Sequence, residues 1–241
     1  MIDGKPLALV TGAAHRLGKV FAMTLARRGY VILLHYHTAE EAASSTADEI
    51  RALGYQVFLA QADLAKPDEI ESLFSTVDGL PHALQVLVNS AGIMPHADVQ
   101  SMPVDEWDAV LSLNLRAPFL CARQAFRRMG AGGLIVNISD VGARKAWSGY
   151  PAYTTSKAGL ESLTRILARS FAPQVRVNAI APGLVLAPDD MPPAEWQRLV
   201  DRLPMKRAVS PAELSSALDF LLDNQAVTGQ TIVVDGGYSL I

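Results

Sequence analysis

The chain has 241 residues, half of them hydrophobic, with 21 Lys and Arg against 24 Asp and Glu for a formal charge of −3. That length and apolar content suit one α/β domain with a large buried core. The scattered basic residues exclude the electrostatic footprint of a nucleic-acid or anionic-membrane binder, so a small-molecule partner is expected.

Short β-branched or aliphatic runs at 7–10, 31–35, 56–61, 84–88, 133–138, 175–179 and 231–234 alternate with helical patterns at 18–29, 39–53, 67–77, 103–129, 153–171 and 211–222. Alternation of this kind is the signature of βαβ units: a single-domain, doubly wound, seven-stranded parallel sheet with helices on both faces, a Rossmann fold. The N-terminal Met1-Ile-Asp-Gly-Lys-Pro6 leads into an apolar run too short and too glycine-bounded for a signal peptide. No segment approaches the ~20 apolar residues of a membrane span, and a soluble cytoplasmic protein is expected. The lone Cys121 lies in an apolar stretch and reads as a buried structural thiol.

The first strand runs through Thr11 and Gly12 into a helix containing Gly18, with His15, Arg16 and Leu17 between. Glycine at that place lets a pyrophosphate approach the helix N-terminus, where free N–H groups favour negative charge. Arg16 is suited to a bidentate phosphate contact. The second strand ends His35-Tyr36-His37-Thr38 without the carboxylate that would hold the ribose 2′-OH of NAD. An acid there would repel a 2′-phosphate, so its absence favours NADP, with His37 and Thr38 as donors. His35 and His37 lack the further ligands a metal site needs. Asp63 and Leu64 after the third strand are placed beside adenine, and Asn89, Ser90, Ala91 and Gly92 after the fourth beside the nicotinamide ribose. Together they define one crevice at the carboxyl edge of the sheet.

Tyr153 and Lys157 stand four apart at the start of a helical stretch and project from one face. A lysine cation near a phenol is expected to lower its pKa and make it a usable acid. Asp140 lies thirteen residues before the tyrosine, and Ser139 points to the opposite strand face. Trp147 and Tyr150, between Asp140 and Tyr153, read equally as cleft wall or as packing. The run Ala187-Pro-Asp-Asp-Met-Pro-Pro-Ala-Glu-Trp196 breaks the alternation, and a loop with a short helix over about 184–205 is expected to cover the site. Within it, Asp189 and Asp190 read as solvated acids or caps of the following helix rather than metal ligands.

In order, Thr11-Gly12, Asn89-Ser-Ala-Gly92, Asn114, Tyr153-Thr-Thr-Ser-Lys157 and Pro182-Gly183 resemble the short-chain dehydrogenase/reductase superfamily over the whole chain. Within it the chain resembles the pteridine reductases. That likeness rests on Thr11-Gly-Ala-Ala-His-Arg-Leu-Gly18, Leu34-His-Tyr-His37, Asp140 where the superfamily commonly has serine, Pro182-Gly-Leu184, Asp189-Asp-Met-Pro-Pro-Ala-Glu-Trp196 and Val234-Asp-Gly-Gly-Tyr-Ser-Leu240. The resemblance implies NADPH-dependent reduction of a pterin, dihydrobiopterin or dihydromonapterin, or of dihydrofolate, by a homotetramer. Asp140, Tyr153 and Lys157 are then catalytic, Lys157 also meets the nicotinamide ribose, and Asn114 carries a water-linked proton path. Pro182, Gly183 and Leu184 join the cofactor contacts, and Arg16, Met94, Asp140, Trp147, Tyr150, Tyr153 and Gly183 the substrate contacts. Two positions depart from the pattern: Met94 stands where a stacking phenylalanine is usual, and Thr38 where an arginine often binds the 2′-phosphate. A ketone or 3-oxoacyl reductase, matching Gly92 and Met94 equally well, and a non-enzymatic NADP(H) sensor are the alternatives.

Overall fold

The computed structural model describes residues 4–241, and the first residues read above for a leader lie outside them. Seven parallel strands form one sheet in the order β3-β2-β1-β4-β5-β6-β7. They are β1 Leu7–Thr11, β2 Val31–Tyr36, β3 Val57–Gln61, β4 Leu84–Asn89, β5 Gly133–Ile138, β6 Val175–Pro182 and β7 Thr231–Val234. The helices are α1 Arg16–Arg27, α2 Glu40–Ala52, α3 Pro67–Gly79, α4 Val104–Leu111, α5 Ala117–Phe126, α6 Pro151–Phe171, α7 Pro193–Arg202 and α8 Pro211–Asp223. No described helix is long and apolar enough to cross a membrane.

Strand alternation divides the core in two. On one face Ala8, Val10, Ile32 and Leu34 pack with Phe21, Leu25, Ile50 and Leu218 of α1, α2 and α8. On the other, Leu7, Leu9, Val31 and Leu33 pack with Leu73, Phe74, Cys121 and Leu167 of α3, α5 and α6. β1 and β2 are buried at every position, as parallel strands covered on both faces must be. Each large side chain so enclosed contributes about 1.5–3 kcal/mol. Cys121 is buried there, and burial pushes its thiol up to about 12.

After β3 the chain returns to place β4 on the far side of β1. The reversal opens a crevice at the carboxyl ends of β1 and β4, where doubly wound sheets bind ligands.

The single helix expected over 103–129 is interrupted. Residues Ser112–Arg116 form a π turn, with Ala117 N–H donating to Ser112 O, between α4 and α5. Pro118 has no N–H to give the carbonyl four residues back, and a wider turn absorbs the misfit.

Candidate active site

The turn after β1 is built around Gly12, whose φ of 62° is left-handed. A Cβ there would lie 2.7 Å from Ala91 Cα, and one on Gly18 would lie 2.0 Å from Gly12 O. The two glycines thus bring α1, the turn and the β4 loop into contact. No side chain caps the N-terminus of α1, and its first turn holds no acid, so the amides and helix dipole are open to an anion. The cradle fits the pyrophosphate of a dinucleotide. Thr11 fixes its far wall: Oγ1 accepts from Ser90 N at 3.0 Å and Ala91 N at 3.2 Å.

Below the turn, Gly12 N–H donates to His35 Nδ1 at 3.1 Å. The proton therefore sits on Nε2, which faces Ala62 O at 3.0 Å. Burial pulls His35 down to about 4, with the Ala62 carbonyl opposing. His35, read above as part of the cofactor-facing strand end, holds the turn from inside instead. Tyr36 and Leu64 are also turned into the core, and Asn89 donates to Asn137 Oδ1 at 2.9 Å in a buried pair. His37 and Thr38 are exposed at the rim. Asp63 turns one oxygen to Ala65 N at 3.0 Å and lies close to His37.

Asp140 follows β5 and opens the short 3-10 turn Val141–Arg144, accepting from Gly142 N at 2.6 Å. Tyr153 and Lys157 project toward it from the first turns of α6. Burial pushes the Asp140 carboxyl up, against the pull of Gly142 N–H, the Lys157 charge and a hydrogen bond from Tyr153. Burial, then the Asp140 charge and hydrogen bond, raise the Tyr153 phenol well above its ordinary value. The expected lowering of Tyr153 by lysine is therefore corrected: burial first, and the Asp140 carboxyl after it, set the direction for this phenol. Burial takes Lys157 down to about 8, with Asp140 opposing. Its Nζ donates to Ile138 O at 2.7 Å and lies 5.6 Å from the Tyr153 ring centroid. Ser139 turns away, its Oγ 3.4 Å from both Lys157 O and Glu161 Oε1.

Asn114, in the π turn, is fully buried. Its Oδ1 accepts from Ile93 N at 2.9 Å, and its Nδ2 donates to Ile93 O at 2.9 Å and Ser156 Oγ at 3.2 Å. The side chain is engaged in holding the β4 loop, and a Cβ on Gly92 would lie 3.1 Å from Asn114 Oδ1 and 3.7 Å from Lys157 Nζ.

On the open side of Asp140 stand Trp147 and Tyr150, ring centroids 6.3 Å apart, with His96 edge-on to Tyr150 at 5.2 Å. Met94 is 43% exposed at the same rim. Gly183 packs on Asp235, donates its N–H to Val234 O at 3.0 Å, and follows Pro182 at the end of β6. Leu184 O accepts from Val209 N at 2.8 Å. Arg16, at φ 51°, directs its guanidinium to Leu186 O and Ala187 O, both at 3.1 Å, and to Asp189 at 3.5 Å. In this state it clasps the loop before α7. Neither Asp189 nor Asp190 caps α7, whose N-cap is Pro192.

Sequence reasoning missed His96, Thr11 as a loop anchor, and Tyr238, whose ring lies 5.9 Å from Trp147. Thr11 and Tyr238 stand in runs quoted above, beside Gly12 and after Gly237, whereas nothing in the sequence marks His96.

An enoyl-(acyl carrier protein) reductase family model matches residues 12–239. The 3-oxoacyl-[acyl-carrier-protein] reductase FabG of Staphylococcus aureus is 34% identical over 237 residues, covering 95% of this chain and 96% of that protein. The 1-cyclohexenylcarbonyl-CoA reductase of Streptomyces collinus is 33% identical over 99% of this chain and 89% of that protein. Among solved structures, FolM alternative dihydrofolate reductase 1 of Brucella canis, complexed with NADP, superposes with a TM-score of 0.93 at 30% identity, over 100% of this chain and 96% of that one. The Brucella suis protein, also with NADP, gives 0.93 at 31% over 100% and 97%. The glycine cradle, the Tyr153–Lys157 pair and these matches make the chain a member of the short-chain dehydrogenase/reductase family of oxidoreductases.

Proposed function

We propose that the protein is an NADPH-dependent pteridine reductase, acting on a dihydropterin such as dihydrobiopterin or dihydromonapterin, or on dihydrofolate. The observation that carries this reading is the Asp140 carboxyl beside Tyr153, both with raised proton affinity. A pterin presents an amino-pyrimidine edge that donates to a carboxylate, whereas a plain carbonyl only accepts. The likeness to the two Brucella FolM proteins supports it.

In the reaction a ring C=N bond gains a hydride at carbon and a proton at nitrogen. Gly12, the amides of α1, His37 and Thr38 would hold NADPH, which would supply the hydride. Tyr153 donates the proton, and a proton from solvent returns to it through the neighbouring Asp140 carboxyl, which also orients the ring. Lys157 balances the Asp140 charge and holds the nicotinamide ribose. The segment 184–205, with α7, excludes water over the ring.

A second reading, reduction of a 3-oxoacyl thioester, is favoured by the FabG relatives and by Gly92 and Met94. NADPH oxidation measured on dihydrobiopterin, dihydromonapterin, dihydrofolate and an acetoacetyl thioester separates the two. The pterin reading expects turnover on at least one pterin, abolished by Tyr153→Phe and strongly reduced by Asp140→Ala. Turnover of the thioester with every pterin untouched defeats it. We also infer a cytoplasmic homotetramer; a monomer in light scattering would refute the assembly.

A further inference from the structure

Tyr153, Lys157 and Glu161 follow one another at every fourth residue of α6, so their side chains leave the helix on one face. The chemistry above uses the first two and gives the third no part. Glu161 is nevertheless enclosed, at 7% exposure. A carboxylate in that setting has given up its hydration and needs partners to offset the loss.

Its partners flank Asp140 in the chain. Glu161 Oε1 lies 3.4 Å from the hydroxyl of Ser139, the residue before Asp140. Its Oε2 accepts from Arg144 Nε at 3.3 Å, at the far end of the 3-10 turn that Asp140 opens. Lys157 Nζ, one helical turn earlier, holds Ile138 O at 2.7 Å, and Ser139 N–H donates to Ile180 O at 2.8 Å. The helix that carries Tyr153 therefore grips the chain on both sides of Asp140.

Two considerations say what this grip is for. The 2.6 Å bond from Gly142 N–H orients the Asp140 carboxyl within its own turn, but it would move with that turn and cannot fix the turn against α6. An inward carboxylate paired with a cation is also weak as a source of stability, since apolar side chains of similar size commonly serve as well. What the Glu161 contacts supply is a fixed relation between two elements.

We propose that Glu161 is a positioning residue for the reaction: through Ser139 and Arg144 it sets where Asp140 stands relative to Tyr153, without touching substrate or cofactor. The proposal rests on the reductase reading in which Asp140 works with Tyr153, whichever substrate is reduced.

Glu161→Gln keeps the size of the side chain and removes the charge that holds Arg144; Arg144→Gln removes the cation from a side chain that is 45% exposed. Steady-state kinetics with NADPH are measured on a pterin, or on the acetoacetyl thioester if the parent protein reduces only that. Glu161→Gln is expected to lower kcat about tenfold, the scale on which a small misplacement of a reacting group acts, with NADPH KM unchanged. Arg144→Gln should lower kcat in the same direction. In an Asp140→Ala background Glu161→Gln should cost nothing further, because its effect passes through the carboxyl already removed. Parent kcat in Glu161→Gln overturns the proposal, and so does an equal loss with and without Asp140, which marks a purely structural role. Should Glu161→Gln fail to fold, the same two criteria apply to Arg144→Gln. Failure of the pterin reading shows separately, in the parent protein's choice of substrate.

Discussion

The N–H of Gly12 donates to Nδ1 of His35, so a core imidazole holds the ligand-facing turn and must be neutral to do so. His35 titrates near 6.5 in the unfolded chain and about 4 in the fold. Between those values the unfolded state binds the extra proton, so stability falls as pH drops from about 6.5 to about 4. The shift corresponds to about 3 kcal/mol. Urea unfolding midpoints taken from pH 7 to pH 4.5 should fall accordingly, and His35→Asn should flatten that slope while lowering stability at pH 7. An unaltered slope in the variant would show that other groups control acid lability.

Lys157 loses its proton near pH 8 in the free protein, and Asp140 is what keeps the value that high. The kcat/KM for the reducible substrate should therefore fall above about pH 8. Asp140→Asn removes the supporting charge, so in that variant the alkaline limb moves to lower pH. A limb that stays in place or moves upward contradicts the coupling.

Gly18→Ala puts a methyl 2.0 Å from Gly12 O, a backbone atom that cannot step aside. The variant should lose NADPH affinity at least tenfold in a fluorescence titration. By contrast Gly54→Ala, at a left-handed position with nothing within 4 Å, should leave that affinity intact while costing about 1 kcal/mol of stability.

Arg16→Ala removes the fork that holds Leu186 and Ala187. Limited proteolysis between residues 186 and 192 should accelerate severalfold in the cofactor-free variant. Equal cleavage rates would mean the clasp contributes nothing to loop order.

The strands and the glycine cradle were legible because burial on both faces and tight turns leave plain compositional marks. Gly12, Gly18, Tyr153 and Lys157 could be located from spacing alone. The inward turn of His35, Tyr36 and Asn89 was not legible, since a polar side chain at a strand end reads the same whether it meets a ligand or a buried carbonyl. The sign of the Tyr153 shift was missed because the lysine four residues on is visible in sequence, while Asp140 acts only once β5 and α6 pack. The packing of Tyr238 on Trp147 was not legible for the same reason: the two rings lie on different elements.

Pro118 gives the break between α4 and α5 a chemical meaning. A regular helix would close the Asn114 carbonyl with the N–H four residues later, and proline has none. The Asn114 side-chain amide is committed to Ile93 and Ser156, so it ties the loop after β4 to α6. Pro118 therefore fixes where the helix widens, and with it the place at which Asn114 can fasten the crevice wall.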